Sequence, residues 1–238
     1  MCFILDKAAY LCYNDRKAVL FESSPVIKGE EKRGTLMKPI LISISREYGS
    51  GGREIAQNIS ERLELPVYDR KLIDLTADQC GYSTKFIQEN EERMTNSFLF
   101  NVAVSGPYSP FTEAEALPQD YVFLTQSKII TKLANENPSA VFVGRCAVYF
   151  LRDHPSLFSV LITADMDFRV KRAVECYDVP PEKAYTIVSR HDKQRRRHYN
   201  YYTGMEWGAS SNYHLILNTG KLGIATVTDI LIELIKNA

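Results

Sequence analysis

The segment from Pro39 to Leu63 constrains this chain most. Ile40, Leu41, Ile42 and Ile44 form a short apolar run rich in β-branched side chains, and it gives way to a polar stretch holding Gly49, Gly51 and Gly52. A run of that length suits a strand buried on both faces of a parallel sheet. Beyond the glycines, Ile55, Ala56, Ile59 and Leu63 recur at helical spacing with polar residues between them. A strand, a glycine turn and a helix in that order present backbone N–H groups at a helix N-terminus. The partial positive charge there favours an anion, and phosphate fits best.

The rest of the chain from Pro39 repeats the alternation. Patterning predicts strands over 67–68, 140–143, 157–163 and 213–217. Helices are predicted over 71–79, 122–135, 166–176, from Pro180–Pro181 to about 202, and over 222–236. The fold class is therefore α/β, a parallel sheet with helices on both faces. Residues 96–120 break the pattern with Gly106, Pro107, Pro110 and Pro118, and read as a long loop or small lobe inserted within about 80–120. Residues 1–37 carry charges of both signs and read as an N-terminal extension, leaving 38–238 as the principal domain.

Charge narrows the partners. The 238 residues hold 29 Lys+Arg and 29 Asp+Glu, so no whole-molecule field attracts nucleic acid or membrane, and an anionic ligand needs a local cluster. Between Arg190 and Arg197 there is such a cluster, five basic residues against Asp192. The five cysteines are scattered without a CxxC pair, and the four histidines lack metal-site spacing. A reducing, cytoplasmic setting follows as the expectation. There is no apolar run long enough for a membrane span, and the first residues lack a basic signal-peptide start.

Four constellations carry chemistry. The first is the block Ser45-Arg46-Glu47-Tyr48-Gly49-Ser50-Gly51-Gly52-Arg53-Glu54, in which Gly49, Ser50, Gly51, Gly52, Arg53 and Glu54 are the phosphate-binding candidates. Against the GxxxxGK[ST] phosphate loop, Arg53 stands where Lys is expected and Glu54 where Ser or Thr is expected. Arg53 can still neutralise phosphate oxygens as a fork of donors, whereas Glu54 cannot replace a hydroxyl on Mg²⁺ without adding negative charge. A turn needed only for packing is the bland alternative. The second is Val143-Gly144-Arg145, a buried strand ending in an arginine where open α/β sheets bind ligands. A surface ion pair would explain it equally.

The third is the basic helix with Arg190, Asp192, Arg195 and Arg196. It fits a lid over about 180–205 that closes arginines on transferring phosphates, a solvated face, or, beside Tyr199, Tyr201 and Tyr202, a nucleic-acid contact. The fourth is Asp69-Arg70 at the end of the second strand, where Asp69 either meets an acceptor or caps the next helix. Arg169 and Arg172, after the Ala164-Asp165 turn, either reach phosphates or face water.

Together these blocks resemble the cytidylate kinase-like family of P-loop nucleoside monophosphate kinases. The resemblance is carried by residues 44–56, Tyr68-Asp69-Arg70, Val143-Gly144-Arg145, Ile162-Thr163-Ala164-Asp165, Asp192-Lys193-Gln194-Arg195, Tyr201-Tyr202-Thr203-Gly204, Trp207-Gly208 and Asn212-Tyr213. It implies a three-layer α/β/α P-loop kinase fold with an inserted substrate lobe, and ATP with Mg²⁺ on the glycine loop. It also implies nucleotide substrates and an acceptor phosphate held by Arg145, with Asp192 and Arg195 matching the lid Asp-x-x-Arg. Asp69 and Arg70 join Arg145, Asp192 and Arg195 as acceptor-binding candidates. Arg53, Arg145 and Arg195 are the catalytic candidates, and Arg190 and Arg196 the further lid arginines. The Mg²⁺ ligands stay unassigned, and neither membrane nor nucleic acid is expected as a partner.

The sequence departs from that family's cytidylate kinases where their Gly-Arg-Asp becomes Gly144-Arg145-Cys146 and where Val188 replaces a lid arginine. Three functions stay open: phosphoryl transfer to CMP or dCMP, a nucleotide-binding module without transfer, and a kinase for a small alcohol with Asp69 as base.

Overall fold

A computed structural model of the protein describes the backbone of three strands within residues 3–22 and, in a separate unit, residues 38–90 and 118–237. The first unit, Met1–Met37, contains β1 (Phe3–Asp6), β2 (Ala9–Asn14) and β3 (Lys17–Glu22). They form an antiparallel sheet in the order β1-β2-β3, with Leu11 opposite both Phe3 and Leu20.

The second unit is built on five parallel strands in the order β5-β6-β4-β7-β8. The central strand β4 (Leu41–Arg46) pairs on one side with β6 (Ala140–Val143) and on the other with β7 (Leu157–Thr163). β5 (Val67–Tyr68) and β8 (Leu215–Asn218) lie at the edges. Leu41, Ile42 and Ile44 are fully buried, as a strand covered on both faces requires.

Helices α1 (Gly52–Leu63), α2 (Arg70–Cys80), α3 (Thr84–Asn90), α4 (Pro118–Glu136) and α5 (Ala147–Phe150) alternate with the first strands. α6 (Met166–Tyr177), α7 (Pro181–Thr203), α8 (Thr219–Leu222) and α9 (Ile224–Lys236) follow. One core layer gathers Leu41, Leu72, Ile130 and Phe142. Another gathers Cys146, Leu161, Tyr199, Trp207 and Tyr213 beneath α7.

Strand and helix bounds agree with the patterning for most elements of the second unit, but the patterning does not predict β1–β3, α3 or α5, and three further differences stand out. Residues 91–117 of the expected insertion lie outside the described residues, but Pro118–Asp120 belong to α4 rather than a loop. Proline breaks a helix interior yet suits its first position, where its missing N–H costs nothing. Tyr213 precedes β8 because its N–H closes a 3₁₀ turn onto Ser210. The closing helix is split at Gly223, whose φ of 80° is non-helical.

Candidate active site

The carboxyl ends of β4, β5, β6 and β7 converge, and the chain leaves each of them through a sequence-predicted segment. Past β4, Gly49 (φ 80°) and Gly51 (φ 82°) turn the backbone into α1. A Cβ on Gly49 would sit 2.6 Å from the carbonyl oxygen of Arg169, so only glycine fits. The loop borders a cleft of about 590 Å³ that Arg46, Arg53, Tyr48, Arg190, His191 and Arg195 also line.

Ser50 closes the loop internally. Its hydroxyl donates to the Glu47 carbonyl (2.8 Å), its own carbonyl accepts from Thr219 Oγ1 (2.7 Å), and it is fully buried. Arg53, the second residue of α1, points its Nε at Asp69 Oδ2 (2.5 Å). Arg145 Nη1 donates to the other oxygen, Oδ1 (2.9 Å), and to the Val143 carbonyl (3.1 Å). Asp69 occupies the N-cap position of α2 but makes no capping hydrogen bond; its carboxylate joins two arginines instead. Burial by itself raises the Asp69 pKa, yet the guanidiniums of Arg145, Arg46 and Arg53 outweigh it and hold the carboxyl below its usual value.

Glu54 accepts from Arg172 Nη2 (2.7 Å), so Arg172 reaches the loop's helix rather than open water. Arg70 is exposed beside Arg53 and Asp69 on a neighbouring depression, outside the main cleft. Arg190 lines the cleft. Arg196 is exposed, with its guanidinium 5.8 Å from the Trp207 ring centre, and does not line the cleft.

Helix α7, expected from the sequence as a lid, is fastened to the loop. Asp192 Oδ1 accepts from the Tyr48 N–H (2.8 Å), Asp192 Oδ2 pairs with Arg169 Nη1, and Arg195 Nη1 donates to the Arg46 carbonyl (2.7 Å). Arg169 is 7% exposed and also donates through Nε to the Ala164 carbonyl (2.9 Å). Glu47 Oε2 lies 3.5 Å from that Nε and accepts from the Ala164 N–H (3.0 Å). Burial raises the Glu47 pKa, against the pull of the Ala164 N–H and Arg169. The His191 ring stacks on Tyr48, centres 4.5 Å apart and planes 7° from parallel.

Sequence reasoning singled out Arg46 and Glu47 only as part of the loop block and left Arg169 open between phosphate and water, so their roles in this assembly were not assigned. Arg169 had a signal, because it shares the apolar stripe of Met166, Val170 and Ala173 on α6. Glu47 had none. Val188 is fully buried against Ala173 and Ala184, so that position of α7 faces core and not ligand.

A model of the cytidylate kinase-like family matches residues 41–221, three-quarters of the chain. The chain belongs to the cytidylate kinase-like family. Every constellation above except the first three strands lies within that match. A solved structure of an uncharacterized protein from Eubacterium ventriosum resembles this family member with a TM-score of 0.62 at 28% identity, covering 84% of this chain and 99% of that one. Shikimate kinase from Bacteroides thetaiotaomicron resembles it with a TM-score of 0.50 at 11% identity, over 82% and 97% of the two chains. These likenesses identify the fold as that of the P-loop kinases. A comparison with curated proteins gives no match. Fold and family together support a phosphotransferase of the P-loop kinase type.

Among the described residues, no group of three or more His, Cys, Asp or Glu is placed to hold a metal ion. No helix among them is long and apolar enough to cross a membrane.

Proposed function

We propose that the protein transfers the γ-phosphoryl group of ATP to a nucleoside monophosphate, with CMP or dCMP as the acceptor that its family favours. The observation that carries this reading is the convergence of Arg53, Arg145 and Arg195, from three different elements, around the glycine loop at the central strand end. The loop backbone and the α1 N-terminus suit the donor phosphates. Mg²⁺ bound with the donor supplies neutralisation of its phosphate charge, and it takes most of its ligands from phosphate and water, so it needs few protein carboxylates. Glu47, the carboxylate side chain among the described residues lining the cleft, would be the candidate for such a ligand.

The chain's own part is positioning and charge. Arg53 and Arg145 are held in register by one carboxylate, that of Asp69, and Arg195 is oriented by the Arg46 carbonyl. An ionised phosphate acceptor needs no general base. Asp69 is shared by two guanidiniums and its pKa is lowered, which makes it a poor base for a neutral alcohol. That favours a phosphate acceptor over a hydroxyl one.

One observation supports a second reading, a nucleotide-binding module without transfer. Arg53, Glu54 and Ser50 each already have a partner within the chain. A coupled ADP-release screen with ATP and Mg²⁺ against all nucleoside monophosphates and several small alcohols separates the readings. Turnover with CMP or dCMP is expected, and Arg53→Ala should lower it by about 10³-fold with the fold intact, the scale of losing one transition-state cation. ATP binding without ADP formation for every acceptor rejects transfer, and unchanged turnover in Arg53→Ala rejects the role of that arginine.

A further inference from the structure

Phosphoryl transfer makes no use of a thiol, yet one lies against the arginines of this site. Cys146 follows Arg145, and its Sγ is 3.8 Å from Nδ1 of His198 on helix α7. Both residues are 6% exposed. Cys146 lines a cavity of about 30 Å³ whose wall also includes Arg46, Arg145 and Arg195, and Arg46 and Arg195 line the large cleft as well. A water needs roughly 10–15 Å³ by this kind of measure, so the cavity has room for a molecule of two heavy atoms. Cys146 is also the third residue in a row with a left-handed backbone, after Gly144 and Arg145, at φ 54°. Side chains with a Cβ rarely adopt that conformation, and such residues cluster at functional positions.

Burial in the layer of Leu161, Tyr199, Trp207 and Tyr213 opposes ionisation of the sulfur, and the cations around it work the other way. Arg46, Arg145 and Arg195 bring positive charge, part of it offset by Asp69 and Asp192, and the His198 ring is within reach of the thiol proton. Tyr199 and Tyr213 face the same sulfur. Burial pushes both phenols up, so they stay neutral and add no opposing charge. Cys176 is exposed and Cys80 half-buried, so exposure alone ranks both ahead of Cys146.

We propose that Cys146 is an oxidant-reactive thiol that attacks hydrogen peroxide, and that its oxidation closes the arginine-lined end of the cleft to phosphate. The thiolate sulfur attacks one peroxide oxygen, an S–O bond forms as the O–O bond breaks, and sulfur gives two electrons to the peroxide. The departing hydroxide takes the proton held by His198 and leaves as water, so thiol and peroxide become sulfenic acid and water. The added oxygen fills the cavity and offers Arg145 and Arg195 an acceptor in place of phosphate. That closure rests on the phosphate-binding reading above; the reactivity of the thiol does not.

The test exposes the intact chain to hydrogen peroxide at about pH 6.5, roughly two units below an ordinary thiol value. Catalase then stops the reaction, and the denatured chain is labelled with dimedone and mapped by mass spectrometry, so that the trapping reagent needs no access to the fold. Label at Cys146 should form about 10-fold faster than at Cys176, with the ratio narrowing towards pH 8.5. His198→Gln should slow Cys146 about 10-fold and leave Cys176 unchanged. Faster labelling of Cys176 than of Cys146 in the unmutated chain at pH 6.5 overturns the reactive thiol. Pyrophosphate binding by calorimetry should be lost after peroxide and kept in peroxide-treated Cys146→Ser. Retained binding in a chain labelled at Cys146 overturns the closure.

Discussion

Arg169 is 7% exposed, and two carboxylates, Glu47 and Asp192, share its charge. Removing it leaves both carboxylates without their shared partner, which is far costlier than losing a surface pair. Arg169→Leu should destabilise the chain by about 3–5 kcal/mol, read from the urea midpoint at constant m. Asp69 works in the opposite chemical sense to Glu47. Its folded pKa lies below the unfolded value near 3.9, so its stabilisation is complete above that value and is lost as pH falls through the folded one. Stability of the unmutated chain should therefore drop between about pH 5 and pH 2 with a steeper slope than that of Asp69→Asn, as followed by urea titration at several pH values. The arginines were visible in the sequence because charge at a strand end or on a helix face is a local signal. Their partners were not. Asp69 looked like a helix cap because that reading needs only its neighbours, whereas its actual contact with Arg145 spans 76 positions.

The helix α7 shows the same division at the level of an element. Its bounds follow from local chemistry, with proline opening it and Gly204 (φ 67°) ending it, and both were readable. Its attachment was not readable, because Asp192 and Tyr48 lie 144 residues apart. At its C-terminal end Tyr202 donates to Asp120 Oδ1 (2.8 Å) on α4, with Asp120 3% exposed. Tyr202→Phe should cost about 1–3 kcal/mol, the cost of weakening a buried charged hydrogen bond, and thermal unfolding checks it. A helix tied at its middle and at its C-terminal end is a poor candidate for wide opening. Backbone amides of residues 188–199 should exchange with deuterium nearly as slowly as those of β4, and fast exchange there would show a lid that opens freely.

At the scale of the molecule, the family match begins at residue 41, and the structure divides the chain after Met37. A chain begun at Lys38 should keep the melting temperature within a few degrees and retain nucleotide binding, measured by calorimetry and fluorescence. The parallel sheet was readable because its strands are short apolar runs separated by helical periods. The order of its strands was not, since nothing local says that β4 lies between β6 and β7. That order has a consequence for synthesis. Ile40, just before β4, waits for a partner segment 99 residues downstream, because its N–H has no Ser139 hydroxyl to donate to until that residue has been made. At about 5–20 residues per second a ribosome needs roughly 5–20 s to supply it. During that interval the nascent glycine loop has no sheet to hang from. Ligand binding by the growing chain must therefore switch on late, after β6 and β7 have emerged, and chains halted earlier expose an apolar strand instead of an active site.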